Sequence, residues 1–192
     1  MSVRRRVGVL ISGRGSNMMA LVEAAKAPDY PAKIVLVLSN KPEAAGLAWA
    51  RANGVPAQAI DAKPFGPDRR AHEQALDAAL REAGVEVVAL AGYMRVLTPW
   101  FVDAWAGRMI NIHPSLLPLY PGLHTHARAI AAGDAEAGCT VHLVTQGVDE
   151  GPVLAQACVP ILAGDDEDVL AARVLEAEHK LYPEALAEFC RA

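Results

Sequence analysis

The chain has 192 residues, 53% of them apolar and 21% charged, with a formal net charge of −4 at pH 7. This length suits one domain with a substantial buried core, and the composition excludes a disordered, collagenous or coiled-coil protein. The acidic balance argues against a nucleic-acid partner, which needs clustered Lys and Arg, yet two or three cations suffice to hold a small anion.

Residues 1–6 carry three arginines and run directly into a strand-like segment. No signal-peptide pattern or bilayer-length apolar run follows, so a soluble cytoplasmic chain without membrane contact is expected. A buried first strand is predicted at 7–11, then a glycine-rich turn and a helix over 17–25. A second strand at 33–38, a helix over 43–53 and a short strand at 56–60 come next. Apolar spacing and Ala/Glu/Arg content predict a helix over 67–83. Apolar strands follow at 85–91 and 108–112, and between them Thr98 is placed to cap a short helix with Pro99 in its first position.

Residues 113–126 hold three prolines and one glycine, which predicts a long, stiff, irregular loop. Two strands follow at 140–144 and 153–161. The run Asp165, Asp166, Glu167 and Asp168 favours the start of a closing helix from about residue 166. Short β-branched runs alternating with Ala/Leu-rich helices give the expected fold class: α/β, a single domain over residues 1–192. It is an open, mostly parallel twisted sheet with helices on both faces. Cys139, Cys158 and Cys190 are widely spaced and include no CxxC pair. They predict reduced, mostly buried thiols, with neither a zinc site nor a disulfide framework.

Two segments carry chemistry. Ser12-Gly13-Arg14-Gly15-Ser16-Asn17 lies between a strand and a helix, where glycines let backbone N–H groups approach an anion. Met18 replaces the third glycine of a dinucleotide fingerprint, and Ser39-Asn40 ends the second strand without an acidic residue for a ribose, so a nicotinamide cofactor is not expected. A small phosphate site remains, alongside a purely structural turn with Asn17 as helix cap. Further on, strand alternation puts Asn111 and His113 on one side of an extended segment, and Pro114 holds His113 away from helical geometry. An amide can donate to an oxyanion and an imidazole can move a proton near neutral pH. Asp149, in a glycine-containing turn, supplies a carboxylate that would favour the imidazolium. A polar pair at a strand end is more often structural than catalytic, and spacing alone leaves both readings open.

The string Asn111-Ile112-His113-Pro114-Ser115-Leu116-Leu117-Pro118, continuing through Leu119-Tyr120-Pro121-Gly122-Leu123-His124-Thr125-His126, resembles the signature of the phosphoribosylglycinamide formyltransferase family. The likeness extends over nearly the whole chain, through residues 11–17, Ala91-Gly92-Tyr93-Met94-Arg95 and the Asp149 turn. It implies a Rossmann-like formyltransferase fold and transfer of a formyl group from 10-formyltetrahydrofolate, as co-substrate and without a metal, to the amine of glycinamide ribonucleotide. By this resemblance His113 is the general acid/base, Asn111 stabilises the tetrahedral oxyanion, and Asp149 orients His113, raises its pKa and relays protons.

The same resemblance places the phosphate loop on Gly15, Ser16 and Asn17, and the substrate-binding stretch on Leu175, Glu176, Ala177 and Glu178. The folate site falls on Met94, Arg95, Val96, Leu97 and Asn111, and on Thr145, Gln146, Gly147, Val148 and Asp149, with Arg69 meeting the folate's acidic tail. Small-molecule partners and a monomer or homodimer are implied. Arg14 stands where family members often carry an uncharged residue and adds a cation near the phosphate, while Ala127 follows His126 with the basic residue displaced to Arg128. His124 and His126 lack zinc-helix spacing and read as loop-ordering or solvent-facing. The rival functions are a formyltetrahydrofolate hydrolase or another folate-dependent formyltransferase, for which additional domains are expected, and a non-catalytic phosphate-binding module.

Overall fold

A computed structural model describes residues 4–192; the first half of the arginine-bearing N-terminal stretch, residues 1–3, lies outside the described residues. The chain runs β1 (Arg5–Ile11), α1 (Ser16–Ala24), β2 (Ala32–Ser39), α2 (Ala45–Ala52), β3 (Ala57–Ala59), a one-turn helix (Lys63–Phe65) and α3 (Arg69–Glu82). It continues with β4 (Val87–Leu90), α4 (Pro99–Ala104), β5 (Met109–His113), α5 (Thr125–Ala132), β6 (Glu136–Leu143), β7 (Val153–Pro160) and α6 (Glu167–Arg191). The strands form one seven-stranded sheet in the order β3-β2-β1-β4-β5-β6-β7. Strands β1 to β5 are parallel, while β6 runs antiparallel to β5 and β7 antiparallel to β6.

Strand alternation divides the core between the two faces of the sheet. Val7, Val9 and Ile11 of β1 pack with Leu21 of α1, Leu47 of α2 and Val174 of α6. Leu10 points the other way, toward Leu76 and Leu80 of α3 and Phe101 of α4. Burial on both sides explains why these strands read as unbroken apolar runs. The long helix α6 is tied to the sheet by Tyr182, fully buried, whose hydroxyl lies 2.8 Å from the Leu90 carbonyl and 3.3 Å from that of Ile110.

The strand order reverses its direction of growth at β1, whose neighbours are β2 on one side and β4 on the other. Connections leaving the carboxyl ends of β1 and β4 diverge there and open a crevice, the usual ligand position in open α/β sheets. The glycine loop after β1, the segment after β4 and the polar end of β5 all meet at this crevice.

Three local expectations are corrected. Helix α5 occupies the end of what reads as loop and continues beyond it; it begins at His124 in a left-handed conformation and stops at Gly133, with no side-chain cap. Thr98 takes the N-cap position of α4, but its hydroxyl bonds Glu73 on α3 instead of the helix's own N–H groups. Asn17 does not cap α1, because that position belongs to Gly15 at φ 72°, where a side chain would be strained. The expectation of mostly buried thiols holds: Cys139 and Cys190 are buried, and Cys158 is exposed on the edge strand β7.

Candidate active site

A cavity of about 1030 Å³ lies at the crevice, with a smaller cleft of about 210 Å³ beside it formed by residues 12–17 together with Ala91, Gly92 and Met94. The cleft is the glycine loop itself, and Gly15 and Ser16 line it at the start of α1. Backbone N–H groups at this helix end have no intrahelical partner and favour an anion. Arg14 and Asn17 line both the cleft and the larger cavity, so the two spaces are continuous. Among the described residues the Arg14 guanidinium is engaged by no carboxylate, which leaves its charge to the cleft.

Asn111, His113 and Asp149 converge on the large cavity. Asn111 and His113 come from β5, two residues apart as the strand period requires. Asp149 arrives from the turn after β6 with φ 56°, a left-handed conformation that Asp tolerates better than most residues. Gly151 permits this turn to lie against the sheet, since a Cβ there would stand 1.7 Å from the Leu143 carbonyl oxygen. Asp149 Oδ2 lies 3.4 Å from His113 Nδ1 and accepts the Gly122 backbone N–H at 2.9 Å. The turn and the proline-rich loop are thereby joined across the cavity. The other ring nitrogen of His113, Nε2, lies 3.0 Å from the carbonyl oxygen of Tyr120.

His142 is a fourth member that the sequence reading missed. It faces Asn111 in the antiparallel register of β5 and β6. Its Nδ1 lies 2.9 Å from the Leu143 carbonyl, which can only accept, so Nδ1 carries a hydrogen. Burial lowers its pKa, outweighing that backbone bond and the Asp149 carboxylate 3.7 Å away. The neutral ring therefore offers a lone pair at Nε2, and Asn111 Nδ2 donates to it at 3.2 Å. Its amide orientation is set by that bond, and the second N–H is left for the cavity. The only sequence signal was a histidine in a buried strand, and its partner is identified by register alone.

The remaining predicted residues divide by position. Met94, Arg95, Val96 and Leu97 line the cavity, as do Thr145, Gln146, Gly147 and Val148. Four exposed apolar side chains gather at its mouth: Met94 at 66%, Val96 at 59%, Leu123 at 66% and Val148 at 55% exposure. Clustered exposed apolar groups mark a surface that receives an apolar ligand. Arg69 is not in the cavity wall; its guanidinium bonds the Val96 carbonyl at 3.1 Å, just behind the mouth.

On α6, helical spacing separates the predicted stretch. Leu175 and Glu178 face the cavity, while Glu176 is exposed and Ala177 packs on the core. Glu178 is buried, its pKa is raised by that burial, and it accepts a hydrogen bond from Asn17 Nδ2 at 3.1 Å. Both His124 and His126 also line the cavity. Among the described residues no group of three or more His, Cys, Asp or Glu is arranged for a metal ion, and no helix is long and apolar enough to cross a membrane.

Residues 5–186 match the formyl transferase family. The chain is 47% identical over 181 residues to the phosphoribosylglycinamide formyltransferase of Escherichia coli, covering 94% of this chain and 85% of that protein. It is 50% identical over 186 residues to the trifunctional purine biosynthetic protein adenosine-3 of Drosophila melanogaster, covering 96% of this chain but spanning only 14% of that protein's length. Among solved structures, the phosphoribosylglycinamide formyltransferase of Brucella melitensis is 57% identical with a TM-score of 0.94, covering 98% of this chain and 97% of that one.

Proposed function

The chain belongs to the formyl transferase family, and from that premise we propose that its cavity joins the amine of glycinamide ribonucleotide to a formyl group delivered by 10-formyltetrahydrofolate. The activity is that of a phosphoribosylglycinamide formyltransferase, a step of purine biosynthesis. One observation carries the assignment to this cavity. Asn111, His113 and Asp149 meet between an anion-suited glycine cleft on one side and an apolar mouth on the other.

The substrate's phosphate sits on the glycine cleft, against the N–H groups at the start of α1 and the Arg14 side chain. Glu178 and Leu175 border the ribose and amine end. The folate's fused rings enter between the 94–97 segment and the 145–149 turn, and its acidic tail leaves past Arg95 and Arg69.

The amine lone pair attacks the formyl carbon, forming the new C–N bond and driving the carbonyl electrons onto oxygen. The free Asn111 N–H donates to that oxyanion. His113 takes the proton lost by the attacking nitrogen, and Asp149 supports the resulting imidazolium. Collapse of the intermediate breaks the bond to the folate nitrogen, which leaves with a proton returned through His113, so no net proton is gained or lost. Small-molecule partners, a monomeric or homodimeric chain and a cytoplasmic setting go with this chemistry.

The test follows loss of the folate's formyl group with and without glycinamide ribonucleotide. Loss that requires the ribonucleotide is expected. Equal loss with water alone would make the chain a hydrolase, and no loss in either case would make it a binding module.

A further inference from the structure

The proline-rich loop reaches the reacting centre through two backbone groups, the Gly122 N–H on Asp149 Oδ2 at 2.9 Å and the carbonyl oxygen of Tyr120, 3.0 Å from His113 Nε2. A carbonyl only accepts, so Nε2 must carry a hydrogen; in the neutral ring the lone pair then falls on Nδ1. Nδ1 faces Asp149 Oδ2 at 3.4 Å. The opposite tautomer would set two acceptors against each other at Nε2 across 3.0 Å, whereas the Nε2–H form leaves the Nδ1 lone pair facing the carboxylate at the longer 3.4 Å, where a proton taken up at Nδ1 meets a negative charge.

We propose that Tyr120 is a positioning residue that locks His113 as its Nε2–H tautomer, which makes Nδ1 the ring nitrogen that carries the reacting proton. This rests on the assignment of His113 as proton carrier given above.

Tyr120 aims its carbonyl by adopting φ 52°. A bulky residue stays in the left-handed region only where its surroundings hold it there, and two groups outside the reacting centre do so. The Tyr120 hydroxyl donates to Asp134 Oδ2 at 2.5 Å, just beyond the C-terminus of α5, and that bond raises the hydroxyl's pKa. Arg128, on α5 itself, lies over the Tyr120 ring at 5.2 Å, and its Nη1 donates to the carbonyls of Pro121 at 2.6 Å and Leu123 at 3.3 Å. Earlier in the loop, Ser115 Oγ donates to the Leu119 carbonyl at 2.6 Å and Thr140 Oγ1 to that of Ser115 at 2.7 Å. Helix α5, absent from the sequence expectation, is thus the anchor from which the loop controls the imidazole.

The experiment reads the His113 tautomer by ¹⁵N NMR of histidine-labelled protein, without substrates and at a pH where the ring is neutral, with His113→Gln assigning the signal. The wild type is expected to show Nε2 protonated and Nδ1 bare. Tyr120→Phe keeps the ring under Arg128 but deletes the hydroxyl. It should give a mixed tautomer signal and lower kcat by about 10-fold, with both KM values within about twofold of wild type. Asp134→Asn retains an acceptor oxygen and should preserve the wild-type tautomer and kcat. An Nδ1–H signal in the wild type would overturn the proposal, as would Tyr120→Phe with unchanged tautomer and kcat. A wild type that transfers no formyl group would sink the assigned reaction instead, and the tautomer signal would still decide what Tyr120 does to the ring.

Discussion

Asn111 donates through Nδ2 to His142 Nε2 at 3.2 Å, across the register pair that joins β5 to the first antiparallel strand. The bond depends on a neutral His142, and burial provides that neutrality. His142→Phe should preserve the packing of the buried ring while releasing the Asn111 amide to rotate away from the position in which it would meet the proposed oxyanion. We expect kcat to fall by about 10- to 100-fold, approaching the loss from Asn111→Ala, which removes the donor itself. The double variant should be little worse than Asn111→Ala alone, because the two side chains act as one unit. Losses that simply multiply would show that His142 does not act through Asn111.

Arg14 extends from the glycine loop into solvent beside the cleft. Its guanidinium can add a charge-assisted bond to a phosphate already held by backbone N–H groups, a contribution to binding and not to the reacting atoms. Arg14→Ala should raise KM for glycinamide ribonucleotide by about 10-fold and leave kcat and the folate KM near wild type. The penalty should shrink at high salt, since this exposed charge is screened. Steady-state kinetics at two ionic strengths check this, and an unchanged ribonucleotide KM would remove Arg14 from the phosphate site.

Local pattern made most of the sheet legible. Residues 7–11 and 33–38 read as buried strands because each is covered on both faces, and the acidic run at 165–168 marked the start of α6, where Asp166 accepts the Val169 N–H at 2.9 Å. What escaped depends on partners distant in sequence. Asn17 has the residue type and position of a helix cap, yet its amide reaches Glu178, 161 residues away. His142 becomes informative only through its register with Asn111. Helix α5 was hidden because His124 and Thr125 offer neither a side-chain cap nor an acidic first turn. Leu175 and Glu178 could have been separated from Glu176 and Ala177 by helical spacing alone, since residues three apart share a face.

Glu178 sets a binding role against stability. Its pKa in the folded chain is raised by burial above the ordinary 4.5, with the Asn17 bond opposing. A raised carboxyl means the folded form holds the proton more tightly than the unfolded chain. Its stabilising contribution is therefore complete below the unfolded value and lost as pH rises through the folded one. Glu178→Gln keeps an oxygen for Asn17 Nδ2 and removes the buried charge. Its Tm should exceed that of wild type by a few degrees near neutral pH and converge with it below about pH 4.5. The ribonucleotide KM should rise at the same time, because Glu178 lines the cavity. Thermal melts across that pH range decide it; a constant Tm difference would mean that Glu178 ionisation is not the cause.

Tyr182 joins α6 to the two strands whose ends carry the site. Its hydroxyl lies within hydrogen-bond distance of the Leu90 and Ile110 carbonyls, immediately before Ala91 and Asn111, and no water reaches this fully buried side chain. Burial also raises its pKa, so the hydroxyl remains a donor throughout the working pH range. Tyr182→Phe retains the ring in the core but leaves the two carbonyls without that donor, at a cost of about 1–2 kcal/mol. For a domain of this size that corresponds to a Tm lower by about 2–8 °C. Because the parallel register of β4 and β5 is held independently by the backbone ladder, kcat measured well below Tm should stay near wild type. A large loss of kcat in a fully folded variant would instead mean that the hydroxyl shapes the ends of β4 and β5, while an unchanged Tm would mean that it contributes nothing to holding α6 on the sheet.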